Sequence, residues 1–171
     1  MDRSMKQDTP EKDETTGTIS HLDMLKKLRV VIRTAAQHSS WIEKKCGVNG
    51  AQLWIMQELH DSGELRVGEL AQKLAVHQST ASNLVDGLEK RGLAIKTRNT
   101  DDQRVVKVKL SDSGEALLQD APKPARGLLP EALIKLDQSQ RQQLDAGLQS
   151  LLDSIEIQSD EYGMLPMPFT V

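Results

Sequence analysis

Gln78, Ser79, Thr80, Ser82 and Asn83 bring five short polar side chains into one short stretch of the chain. Slim groups of this kind donate and accept hydrogen bonds without bulk, which is the chemistry needed to read the edges of base pairs in a groove. Just beyond them, between Lys90 and Lys109, lie Lys90, Arg91, Lys96, Arg98, Arg104, Lys107 and Lys109, opposed only by Asp101 and Asp102. Clustered Lys and Arg are what phosphate binding requires, and their local excess matters more than the formal net charge of −3 for the whole chain. The same charges would also suit a solvated strand pair.

Other chemistries find little support. His21, His38, His60 and His77 are far apart, no glycine-rich loop could cradle a phosphate, and no Ser or Cys stands in a nucleophile motif. An enzyme is therefore not expected, nor is a metal or cofactor. The single cysteine, Cys46, can form no intrachain disulfide. It reads either as a small residue near a helix end or, because Lys44 and Lys45 precede it, as a redox-sensing thiol. No apolar run approaches the roughly 20 residues that cross a bilayer, and the charged N-terminus lacks an apolar signal core, so a cytoplasmic protein without membrane contact is expected.

Periodicity supplies the elements that must position these groups. Residues 1–18 are polar and aperiodic and read as a disordered arm. Leu22, Leu25, Leu28, Ile32 and Ala35 recur at helical spacing, and Trp41 and Ile42 extend the stripe to a stop at Gly47. Asn49 with Gln52 resembles a capping box opening a second helix that Gly63 closes. A short third helix spans about Val67 to Leu74. A fourth, about Gln78 to Arg91, puts Ala81, Leu84, Val85 and Leu88 on one face and the small polar residues on the other, before Gly92. Strands at Ala94 to Arg98 and Arg104 to Leu110 form a hairpin with a cationic face. Ser111 caps a further helix that Pro122 and Pro124 kink or end. The last helix starts near Asp137 with Leu144, Leu148, Leu151, Leu152 and Ile155 as its seam, and the tail after Gln158 is irregular, with Met164, Leu165, Met167 and Phe169 available to dock on a partner.

Over about residues 22–156 the sequence resembles the multiple-antibiotic-resistance regulator (MarR) family. The likeness rests on Val67 to Leu74, on Gln78 to Leu93, and on the wing from Arg98 through Asp102-Gln103-Arg104 to Leu110. It implies a mainly α fold with a small β-hairpin wing, a winged helix-turn-helix flanked by N- and C-terminal dimerisation helices. The implied organisation is an arm (1–18), a dimerisation helix (19–47), a DNA-binding region (48–111), C-terminal helices completing the dimer (112–157) and a tail (158–171). The implied function is a homodimeric repressor on double-stranded DNA, released by a small aromatic or carboxylic effector. Gln78, Ser79, Thr80, Ser82, Asn83, Arg98, Asp102, Arg104 and Lys107 would contact DNA, with Asp102 orienting Arg104 toward the minor groove. Arg33, His38, Trp41 and Trp54 would hold the effector, packing being the plainer reading of both tryptophans.

The sequence departs from the family pattern at three places. Asn83 and Gly87 stand where many members carry Arg, His77 stands at the cap of the recognition helix, and Pro122, Pro124 and Pro130 interrupt what is commonly one long helix. Two alternatives remain open at the level of sequence: a winged-helix protein-interaction module without DNA binding, and a thiol-based redox repressor using Cys46.

Overall fold

The computed structural model describes residues 19–98, 106–155 and 160–171. The expected arm (1–18) and the wing tip with Asp102 and Arg104 lie outside the described residues.

Local signals decide most helix ends. Helix α1, His21–Cys46, opens on Ser20, whose hydroxyl accepts the Leu22 N–H, and stops at Gly47 in the left-handed conformation. Helix α2, Gly50–Ser62, opens on the complete Asn49–Gln52 capping box. Strand β1, Glu64–Arg66, leads directly into α3, Val67–Leu74. Helix α4, Gln78–Lys90, buries Ala81, Leu84, Val85 and Leu88, as its spacing requires. Strands β2, Ala94–Arg98, and β3, Val106–Leu110, form the hairpin. Helix α5, Asp112–Asp120, is capped by Ser111, and α6, Leu128–Lys135, and α7, Gln138–Asp153, follow. A single turn, α8, Asp160–Gly163, begins the tail.

Two elements depart from the sequence reading. The hairpin is the larger part of a three-stranded antiparallel sheet in the order β1-β3-β2, with Leu65 opposite Val108 and Lys96 opposite Val108 on the other side. Strand β1 is too short to show alternation, and its pairing with β3 is what makes it a strand. Helix α6 forms despite Pro130, because Pro130 is its third residue, where a backbone N–H has no intrahelical acceptor to lose.

The core joins α2, α3, α4 and the wing root, with Leu53, Ile55, Met56, Leu70, Val85, Leu88 and Val108 fully buried. Helix α5 closes this core from below the wing. A Cβ on Gly114 would lie 2.1 Å from the Leu93 carbonyl oxygen, a backbone atom that cannot move aside without disturbing the wing root. Gly114→Ala will therefore destabilise the fold by about 1–3 kcal/mol despite alanine's better helix propensity. A chemical-denaturation midpoint equal to that of the wild type would contradict this packing.

The first half of α1 and the whole of α7 stand outside the core, which α1 joins only through its C-terminal half at Ala35 and Ile42. Every residue of 21–34 and every residue of α7 is exposed, although both segments carry apolar stripes. No helix among the described residues is long and apolar enough to cross a membrane.

Candidate nucleic-acid interface and apolar cavity

The polar face of α4 stands clear of the core. Gln78, Ser79 and Asn83 are exposed, and Thr80 and Ser82 half-buried. His77 is the N-cap with no side-chain capping bond, so the first turn of α4 is held by other means. Helix α4 approaches α2 closely at Gly87, where a Cβ would meet the Gln52 side-chain nitrogen at 2.5 Å. Its far end is tied to α1 by the Arg91 guanidinium, which donates to the Gly47 carbonyl.

One groove gathers residues from five elements: Gln78 and Ser82 of α4, Arg66 of β1, Gly68 of α3, Lys96 of β2 and Val106 of β3. Arg66 was not among the sequence candidates. It is exposed, and β-pairing sets it opposite Lys107. The signal that places it is the non-local pairing of β1, which nothing near Arg66 in the sequence announces. Arg98 ends β2 in register with Val106.

The expected cationic face is weaker than the residue count implies. The Lys96 ammonium is held by Asp86 and Glu89; burial alone would lower its pKa, but bonds to these two carboxylates carry it above the ordinary lysine value. Lys107, expected to contact DNA, donates to Glu64 of β1 at 3.0 Å. Such an exposed pair contributes little to stability and leaves the charge exchangeable.

The expected effector residues divide. Helix α1 turns Ala35, His38, Ser39 and Ile42 inward, and His38 and Trp54 line an apolar cavity of about 310 Å³ between α1, α2, α6 and the tail. Arg33 and Trp41 do not line it. Arg33 lies two residues before Ala35, about 200° around the helix and outward, whereas Trp41, three residues after His38, flanks the inward face without reaching the cavity. Trp41 is half exposed and meets His38 edge-on, ring centroids 5.8 Å apart. His38 is itself committed, its Nε2 lying 3.0 Å from the Pro124 carbonyl oxygen as the donor of that bond. The Trp54 indole N–H donates to Glu58 at 3.0 Å while the ring lines the cavity.

Glu58 is the centre of a buried charge network. Besides Trp54 it accepts from Lys73 at 3.1 Å and from Arg126 Nε at 2.6 Å. Burial alone would raise its carboxyl, but the bonds from Arg126, Lys73 and Trp54 together hold it below the ordinary carboxylate value. Arg126 also pairs with Asp61 and, at 3.5 Å, with Glu131 of α6. It lines the cavity with its charge already matched by three carboxylates.

Cys46 is half-buried, and burial pushes its thiol up, Lys45 opposing and Asp120 reinforcing the change. As the last residue of α1 it also sits at the negative end of the helix dipole. Both effects disfavour the thiolate that a redox sensor needs. Among the described residues no cluster of His, Cys, Asp or Glu could hold a metal ion.

The tail packs in part on its own protomer, Leu165, Met167 and Phe169 lining the cavity while Met164, Leu165 and Met167 keep exposed surface. The local sequence has no periodicity to reveal this, since the contact is with residues about a hundred positions earlier.

Comparison with known proteins finds a match over the segment that holds α2, β1, α3, α4 and β2. Residues 48–106 match the MarR family. The HTH-type transcriptional repressor MdtR of Bacillus subtilis (strain 168) is 35% identical over 77 residues, which cover 45% of this chain and 50% of MdtR. The transcriptional repressor MprA of Escherichia coli (strain K12) is 27% identical over 105 residues, 60% of each chain. The chain thus spans about half the length of the former and somewhat more of the latter. A MepR-like protein, crystallised with pseudoligands, superposes with a TM-score of 0.56 at 25% identity, covering 78% of this chain and 94% of its own. Wild-type MarR of E. coli in its apo form superposes at 0.52 with 19% identity, over 80% and 99% of the two chains, and shares the fold. The MarR-type winged helix-turn-helix is therefore the architecture of this protein, mainly helical with a three-stranded wing sheet. Each superposition leaves about a fifth of this chain without a counterpart.

Proposed function

We propose that this protein is a cytoplasmic, homodimeric, non-enzymatic transcriptional repressor that binds a pseudo-palindromic site in double-stranded DNA and is released by a small apolar ligand. The observation that carries this reading is the polar face of α4, exposed beside the wing and the start of α3 in a segment of MarR type. Gln78, Ser79, Ser82 and Asn83 would enter the major groove, Thr80 standing at its edge, while Arg66, Arg98, Lys107 and the wing-tip pair Asp102 and Arg104 hold the flanking backbone and minor groove. The names of MdtR and MprA, both repressors, favour repression. A winged helix that bound only protein would have no use for a slim hydrogen-bonding helix face beside cations.

The exposed stripes support the dimer. An isolated helix the length of α7 is marginal in water, and its exposed apolar residues, like Leu25, Leu28 and Ile32 of α1, require a partner surface. The effector follows from the cavity. Arg126, the guanidinium on its wall, is already matched, so the aromatic rather than the carboxylic half of the expected ligand class fits best.

The base-reading and phosphate roles separate in one titration. Asn83→Ala should cost about 1–3 kcal/mol on the cognate site and far less on random duplex. Arg66→Ala should weaken both by similar factors and lower the salt slope by about two contacts per dimer, one from each protomer. Fluorescence anisotropy with both duplexes at several salt concentrations checks this. Equal losses on both duplexes for Asn83→Ala, or an unchanged slope for Arg66→Ala, would contradict the assignment.

A further inference from the structure

The tail bridges two points that matter to the proposed function. The His77 N–H, at the cap of α4, donates to the Met164 carbonyl at 3.1 Å. The Ala51 N–H, in the first turn of α2, donates to the Thr170 carbonyl at 3.0 Å. Both donors belong to helix starts, where backbone N–H groups lack intrahelical acceptors, so each bond satisfies a group that would otherwise need water. Between these anchors the tail turns on itself, Thr170 N–H donating to the Met167 carbonyl at 2.8 Å, and Leu165 and Phe169 line the cavity. The tail approaches Gly50 closely enough that a Cβ there would stand 3.5 Å from Thr170 Cβ.

We propose that residues 164–170 form a strap that walls the apolar cavity and anchors the start of α4, so that a neutral apolar ligand displacing the strap also releases the recognition helix. This rests on the reading of α4 as the DNA-reading helix and of the cavity as the effector site. The cavity, at about 310 Å³, lies at the small end of ligand sites, so a drug-sized occupant needs the space that Leu165 and Phe169 hold. Ligand and strap then compete, and the ligand shifts the population toward the state in which His77 has lost its anchor. The coupling is reciprocal: DNA that favours the anchored α4 also favours the docked strap and opposes the ligand.

The test uses the full chain and the double variant L165S/F169S, with N-phenyl-1-naphthylamine as a neutral apolar probe. Amide hydrogen exchange is read by NMR at His77 and Ala51, with Leu84 and Leu88 inside α4 as controls. In the variant the His77 and Ala51 amides should exchange at least about tenfold faster than in the wild type while the control amides do not change. The probe should bind the variant about tenfold more tightly, having no strap to displace, and should speed exchange at His77 when added to the wild type. Equal exchange at His77 and Ala51 in both proteins, or equal probe affinity, would overturn the strap. A random-sequence duplex titrated with the wild type at low salt separates the two readings. Duplex binding with no exchange response sinks the strap and leaves the regulator, whereas the exchange response without duplex binding keeps the strap and sinks the DNA-binding function.

Discussion

Replacing Arg126 with Met will destabilise this protein by about 3–5 kcal/mol, although Arg126 lies on a connecting segment outside every helix. Arg126 is the partner that makes ionised Glu58 tolerable in a buried position, and its loss leaves a carboxylate with only Lys73 and the Trp54 indole. Methionine keeps the stem's apolar packing, so the change isolates charge from volume. The same network sets an acid limit. Because the folded Glu58 carboxyl titrates below its ordinary value of 4.5, its contribution is complete above that pH and is lost as pH falls through the lowered value. Denaturant midpoints between pH 7 and pH 3 will show the wild type losing stability below about pH 4.5, and the Arg126→Met protein losing less. A variant as stable as the wild type at pH 7 would show that the network has no structural role.

Leu148→Asp will convert the protein to a monomer and weaken duplex binding by at least about a hundredfold, since the two half-sites then bind independently. Leu148 is 46% exposed on α7 in the single protomer. If the protomer were complete by itself, an aspartate there would change stability by no more than about 0.5 kcal/mol and leave assembly untouched. In a dimer the carboxylate would enter an apolar interface, with a desolvation cost that the subunits avoid by separating. Sedimentation velocity distinguishes the cases: the wild type at twice the chain mass and the variant at the chain mass, with unchanged helix content. A wild type that sediments as a monomer would remove the dimer from the account.

How much of this was legible in the sequence depends on how local each cause is. Gly47, the Asn49–Gln52 box, the apolar stripe of α4, Gly92 and Ser111 act within a turn or two of the chain, and the helices begin and end where they specify. Strand β1 exists only through β3, and Arg66 joins the groove only through β1. Arg126 looks like one more cation until folding sets it against Glu58, Asp61 and Glu131. Helix α6 was hidden by reading Pro130 as a breaker without asking which turn it occupied. For the site, the polar face of α4 was legible because helical spacing alone puts those residues together. The cavity is half legible: the inward face of α1 identifies His38 and helical spacing sets Arg33 opposite it, whereas Trp41, at the flank of that face, is placed only by the fold. The docked tail was illegible, since its partners are remote in sequence and its bonds go to backbone atoms that no residue type marks.

In the proposed function, affinity for duplex DNA comes from phosphate contacts around a base-reading helix. The measurement that tests it most directly is an anisotropy titration of duplex DNA with the wild-type protein across a series of salt concentrations. The logarithm of the binding constant should fall linearly with the logarithm of salt concentration, with a slope of several phosphate contacts per dimer. Binding that does not respond to salt, or no binding to duplex at low salt, would contradict it.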